Sequence, residues 1–123
     1  MKKISTGKAY EKTMSHSPGI VVDGFLFTAG ITGRLPSGEL PSERMKEQAA
    51  QVVRNIKDII REAGGTVEGI VKISIFVTDI EEYATISAEC AELLVNNPAS
   101  TLLEIARLAL PEMKIEIEVI VRL

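Results

Sequence analysis

The sequence is poor in the residues from which many active sites are built. Among 123 residues there is one cysteine, Cys90, one histidine, His16, no tryptophan, three phenylalanines and two tyrosines. A single cysteine excludes an intrachain disulfide and a zinc knuckle. A single histidine leaves most metal sites and a Ser-His-Asp triad short of parts. No metal and no cofactor is therefore expected. Few aromatics leave little on which unpaired bases can stack, and a net charge of −3 gives no electrostatic grip on a phosphate backbone. Nucleic acid is not an expected partner. No Gly-Lys-Ser/Thr triplet occurs, and the glycine-rich "GITGRLPSG" lacks the strand–loop–helix spacing of a phosphate cradle. No apolar run reaches the ~18 residues that span a bilayer. Lys2 and Lys3 have no apolar stretch behind them of the kind a signal peptide carries. The expected setting is cytoplasmic, away from membranes.

What is present fits one soluble domain over residues 1–123, with 46% apolar and 25% charged residues. "KKIST" suggests a short first strand, and "GKAYEKTMSHSPG" a loop. In "IVVDGFLFTAG", Asp23-Gly24 between β-branched and aromatic runs predicts a tight hairpin ending at Gly30. "ITGRLPSGELPS" reads as loop. A helix is predicted over Ser42 to Ala63, with Ser42 as its N-cap. Its stripe is Met45, Ala49, Val52, Val53, Ile56, Ile59, Ile60 and Ala63, and Gly64-Gly65 is its stop. In the next strand Val71, Ile73, Ile75 and Val77 share a face. A second helix is predicted from Asp79, with a capping-box pattern at Glu82, to about Val95; its inner stripe is Ile80, Tyr83, Ile86, Cys90, Leu93 and Leu94. Two strands close the chain, and in the last Met113, Ile115, Ile117, Val119 and Val121 alternate with a mixed face. The fold class is α+β: a mixed sheet with two helices packed on one face.

Two helices cannot cover both faces of such a sheet. The uncovered face carries Phe76, Ile120 and Leu103 or Leu102 among Ser, Thr, Glu and Lys, a composition that suits burial against another subunit. Glu116 and Glu118 stand two apart on this face. They either line a site or pair with Lys114 and Arg122 at a charged sheet surface. Glu104 poses the same choice. His16 reads as a solvated loop residue and Cys90 as a small core residue.

The stretches "VVDGFLFTAG", "GELP", "NIKDIIREAGGTVEGIVKISIFVTDIEEYATI" and "LEIARLALPEMKIEIEVIV" resemble the RidA/YjgF/L-PSP family of reactive-intermediate deaminases, over about His16 to Leu123. The resemblance implies a chorismate-mutase-like fold and a homotrimer with a small-molecule ligand in each intersubunit cleft. It also implies hydrolysis of enamines and imines, such as 2-aminoacrylate, to keto compounds and ammonia. Carried over residue by residue, the family's glutamate falls on Glu116 and its glycine on Gly30. Its arginine position falls on Ser100 (in "PAST"), its early-loop tyrosine on Ser17, and a second-helix asparagine on Ser87. The resemblance is thus to a branch without the catalytic arginine. The guanidinium it lacks would have met a substrate carboxylate in two parallel hydrogen bonds. The implied site is Glu116 as catalytic acid/base, with Gly30, Ser100, Thr101 and Ser17 as substrate-binding residues. Arg34, in the loop after Gly30, is the candidate for the missing charge. Three functions follow: a Rid-type hydrolase, a non-catalytic metabolite-binding or regulatory homotrimer, and the endoribonuclease or translation-inhibitor role attached to the family's name.

Overall fold

A computed structural model of the protein describes all residues, Met1–Leu123. The elements run β1 (Lys2–Ile4), β2 (Gly19–Val22), β3 (Phe25–Thr28), β4 (Ile31–Thr32), α1 (Met45–Glu62), β5 (Ile70–Val77), α2 (Tyr83–Glu89), β6 (Ala99–Glu104) and β7 (Ile115–Arg122). They form one mixed sheet in the order β1-β2-β3-β7-β5-β6, with β4 also paired to β7. All pairings are antiparallel except β5 with β6, whose connection carries α2. The Asp23-Gly24 hairpin forms as expected: φ is +52° at Asp23 and +80° at Gly24, the left-handed pair that a two-residue turn between right-twisted strands requires.

The core lies between the helices and one sheet face. Leu26, Ile73, Ile75, Val77, Ile115, Ile117, Val119 and Val121 meet Met45, Ala49, Val52, Val53, Ile56, Ile59 and Ile60 of α1. Gly64 (φ +83°) ends α1: Gly65 N–H donates to Ile60 O (3.0 Å) and Gly64 N–H to Arg61 O (3.0 Å).

Four local expectations are corrected. The first helix begins at Met45, not Ser42, because Ser42 Oγ accepts from Arg44 N–H (3.0 Å) in a tight local turn and does not reach a helical N–H. The second helix ends at Glu89 and tightens into a 3-10 turn over Ala91–Leu94. That tightening eclipses positions three apart, so Cys90 and Leu93 point the same way and are both fully buried, whereas Tyr83 and Ile80 are exposed. The capping at its entrance comes from Asp79, whose carboxylate accepts from Glu81 N–H (3.0 Å), without a bond from Glu82. In β5, a bulge between Ile70 and Lys72 turns Val71 outward and puts Ile70 into the core in its place.

Polar residues of α1 fasten the loops that border the open face. Gln48 is fully buried: Nε2 donates to Ser42 O (3.0 Å) and Glu112 O (2.7 Å), and Oε1 accepts from Lys114 N–H (2.8 Å). Buried Asn55 donates from Nδ2 to Thr32 O (3.1 Å) and Arg34 O (2.8 Å), and its Oδ1 accepts from Lys8 Nζ (2.8 Å) and Gln51 Nε2 (3.0 Å). These bonds hold the segment after β4 and the N-terminal segment against the helix.

Candidate functional site

The sheet face away from the helices is built in cross-strand rows. Ala99, Lys72, Ile120 and Phe27 form one row; Thr101, Ser74 and Glu118 the next; Leu103, Phe76 and Glu116 the third. Leu103, rather than Leu102, is the β6 leucine on this face: it is exposed, and Leu102 packs against the core. With Phe27 it supplies most of the exposed apolar surface here, and Phe76 and Ile120 are half-buried.

The ladder along β7 is interrupted. β3 pairs with its C-terminal half (Phe27 opposite Ile120) and β4 with its N-terminal half (Ile31 opposite Ile117, Thr32 opposite Glu116). Ala29-Gly30 falls in the gap. Thr28 covers the missing bond with its side chain, Oγ1 accepting from Val119 N–H at 2.9 Å. Beside the gap a cleft of about 140 Å³ opens between Phe27, Thr28, Lys72, Ser74, Glu118 and Ile120.

On the other side of the gap the Glu116 side chain lies over Gly30. A Cβ at position 30 would stand 2.5 Å from Glu116 Oε2 and 2.7 Å from its Cδ. Gly30 makes room for the Glu116 carboxyl in this position, and its backbone angles do not call for glycine. Burial pushes the Glu116 carboxyl above the usual carboxylate range, Glu118 pushes it the same way, and His16 pulls it back. No Lys or Arg makes an ion pair with Glu116 or Glu118, so the charged-surface alternative with Lys114 and Arg122 does not hold within the chain.

His16 is exposed, as expected of a solvated loop residue. The hairpin register fixes the path of its segment. Gly19 pairs with Thr28, and Pro18 O accepts from Ala29 N–H (2.9 Å), so the chain just before Gly19 must pass beside Ala29-Gly30. On that path His16 is exposed and Ser17 half-buried, and both line a cleft with Lys3, Ser5, Lys8, Glu11 and Lys12.

The other candidate residues divide. Thr101 lies on the open face, in one row with Ser74 and Glu118. Ser100 pairs with the core-facing Ile73, so within one chain it belongs to the opposite side of edge strand β6 from Glu116. Arg34 turns into its own loop, Nη1 donating to Gly38 O (2.8 Å), and its charge bears on Tyr10. It lines a separate cleft with Glu39, Glu43 and Glu112. Glu104 is structural: Oε1 accepts from Ile80 N–H (3.0 Å) at the entrance to the second helical segment. No cluster of three or more His, Cys, Asp or Glu side chains could hold a metal, and no helix is long and apolar enough to cross a membrane.

Comparison with known proteins agrees with the architecture. Residues 6–123 match the family described as Endoribonuclease L-PSP. The chain is 33% identical to the 2-iminobutanoate/2-iminopropanoate deaminase of Escherichia coli strain K12, over 97% of this chain and 95% of that protein. It is 39% identical to a RutC family protein of Aquifex aeolicus over 68% of this chain, a match that spans 66% of the Aquifex protein. The crystal structure of RidA from the Antarctic bacterium Psychrobacter sp. superposes with a TM-score of 0.90 at 31% identity, covering 100% of both chains.

Proposed function

The chain belongs to the RidA/YjgF/L-PSP family, and from that footing we propose that it hydrolyses enamine and imine intermediates to keto compounds and ammonia. The observation that carries this reading is the Glu116 carboxyl: half-buried, packed on Gly30, unpaired by any Lys or Arg, and held above the usual carboxylate range chiefly by burial. A carboxyl of that kind exchanges protons nearer neutral pH than a solvated one does, which suits general acid–base work.

In the proposed reaction an enamine first takes a proton on carbon, or an imine a proton on nitrogen, from solvent and becomes the iminium ion. Water adds to the imine carbon, and its proton passes to the Glu116 carboxylate. The resulting carbinolamine nitrogen recovers that proton. The C–N bond then breaks, ammonia leaves, and the C=O bond forms with loss of the hydroxyl proton to solvent or to the departing amine. The Escherichia coli relative's name identifies 2-iminobutanoate and 2-iminopropanoate as its substrates, and imines of this class are the first to test.

The working assembly in this reading is a homotrimer with sites in its intersubunit clefts, and exposed Phe27 and Leu103, beside half-buried Ile120 and Phe76, give the open face a reason to be covered. A neighbouring copy would bring its own edge strand β6 toward Glu116, with the Ser100 hydroxyl in place of a guanidinium.

Ser100 favours a second reading, a non-catalytic trimer that binds a small metabolite, because no side chain at that position neutralises a substrate carboxylate. The deciding assay generates 2-aminoacrylate in situ and follows keto-acid release with wild-type protein, Glu116→Ala and Ser100→Arg. Release by the wild type that is lost in Glu116→Ala supports the hydrolase. Absence of release from both the wild type and Ser100→Arg overturns it in favour of the binder.

A further inference from the structure

We propose that the Glu116 site takes imines that carry no carboxylate, the iminium ions left when primary amines are oxidised, and converts them to aldehydes or ketones and ammonia. The inference rests on the reading of Glu116 as the proton-handling group and names the substrate class it would serve. Its basis is the charge and make-up of the open face around that group. Glu116 and Glu118 stand in successive rows of one strand face. Phe76 lies opposite Glu116 and Leu103 extends that row, while Ser74 and Thr101 continue the row of Glu118. A small ligand here meets two carboxyl groups, two hydroxyls, an aromatic ring and a leucine.

No fixed cation offsets those carboxyls. Lys114 precedes Glu116 on the same face but makes no ion pair with it. Lys72 pairs with Ile120, two rows or about 13 Å along β7 from Glu116. Arg122 is a further row along, opposite Phe25. Arg34 is bonded into its own loop. The edge strand that a neighbouring copy would bring, Ala99–Glu104, contains no lysine or arginine. His16 draws the Glu116 carboxyl toward its charged form, but an imidazole is not a fixed positive charge near neutral pH.

The consequence follows from where a carboxylate would have to sit. In a 2-imino acid it is bonded directly to the imine carbon, the atom that the water handled by Glu116 attacks. It would enter as a third carboxyl group beside two others, one of them half-buried, where like charges repel more strongly than in open water. An iminium ion without a carboxylate brings the opposite charge to the same place, and the Phe76 ring beside it favours a cation further. The reaction balances as an iminium ion and water giving a carbonyl compound and ammonium. The water oxygen bonds to the imine carbon, the C–N bond breaks, and the protons pass through Glu116 as above, with no other reactant.

Two imines that differ only by the carboxylate make the test. Propan-1-imine is released from propylamine by a flavin-dependent amine oxidase, and 2-iminobutanoate from 2-aminobutanoate by a flavin-dependent amino-acid oxidase. Semicarbazide traps each imine, and the full-length protein acts by lowering the initial rate of semicarbazone formation. Wild type should favour propan-1-imine by at least about tenfold in kcat/KM. Glu118→Gln removes a charge at an exposed position and leaves Glu116 in place, and it should narrow that ratio. A wild type that favours 2-iminobutanoate overturns the inference and leaves the hydrolase reading standing. A preference for propan-1-imine that Glu118→Gln does not change overturns it as well, because the charge of the face would not be its source. If the protein consumes neither imine, the hydrolase reading falls and this inference falls with it.

Discussion

At the residue scale, two half-hidden carboxyls have opposite thermodynamic signs. For Glu116 the folded-state value is raised, so the native chain holds the extra proton in the window above the ordinary carboxylate value. Stability falls as pH rises through that window, and the deficit persists above it. Glu116→Gln should therefore be more stable than wild type at neutral pH, with the gap closing in acid, as read from urea midpoints at the two ends. Glu11 runs the other way. Burial pushes it up, but hydrogen bonds from Ser5 Oγ and from the hydroxyl and N–H of Thr6, helped by Lys8, bring it below its ordinary value. Its contribution is present above the unfolded-state value and is lost as pH falls through the lowered one. Glu11→Gln should thus weaken the fold at neutral pH and match wild type in strong acid. Gly30→Ala is a third case. The atoms in the way are the tip of a flexible side chain, so the Glu116 carboxyl should swing toward solvent. Its titration midpoint should then fall, with little change in thermal midpoint. None of these roles is legible in the composition. Glu116 and Gly30 are far apart in sequence, and only the break in the β7 ladder makes them touch.

At the element scale the sequence was far more readable, because periodicity reports directly on which face is buried. The alternation of β7 and the three-and-four spacing of α1 both appear in the structure with the expected residues inward. Boundaries failed where side-chain bonding competed with pattern, as at Ser42, and where one extra residue shifted the phase, as at Val71. Gln48 is the clearest omission. As a polar residue beside an apolar stripe it gives no periodic signal, yet it joins α1 to both the 42–44 turn and the approach to β7. Gln48→Leu leaves the part-buried Lys114 N–H and the Ser42 and Glu112 carbonyls without their partner, and should lower stability by about 1–3 kcal/mol. The measurement is a drop in urea midpoint at constant slope. Ile56→Ala, wholly within the core, should cost about 2–5 kcal/mol by the cavity it leaves.

At the scale of the whole molecule, the helices finish one face of the sheet and leave the other with Phe27 and Leu103 exposed and Glu116 half-covered. If the proposed trimer forms, sedimentation should give three times the chain mass of 13.4 kDa. Ile120→Lys, on the open face, should lower that mass while preserving the helical circular-dichroism signal. A monomeric wild type would remove the intersubunit cleft from the functional reading.

One buried atom makes the chain unusually convenient to interrogate. Cys90 is its only thiol, is fully covered, and is pushed up to about 11, first by burial and then by Glu89. At pH 8 roughly a thousandth of it would be thiolate even if reagent could enter. Modification by a disulfide reagent should therefore run at the pace of transient openings in the second helical segment. The wild-type molecule carries its own stopwatch for that motion, without an introduced label.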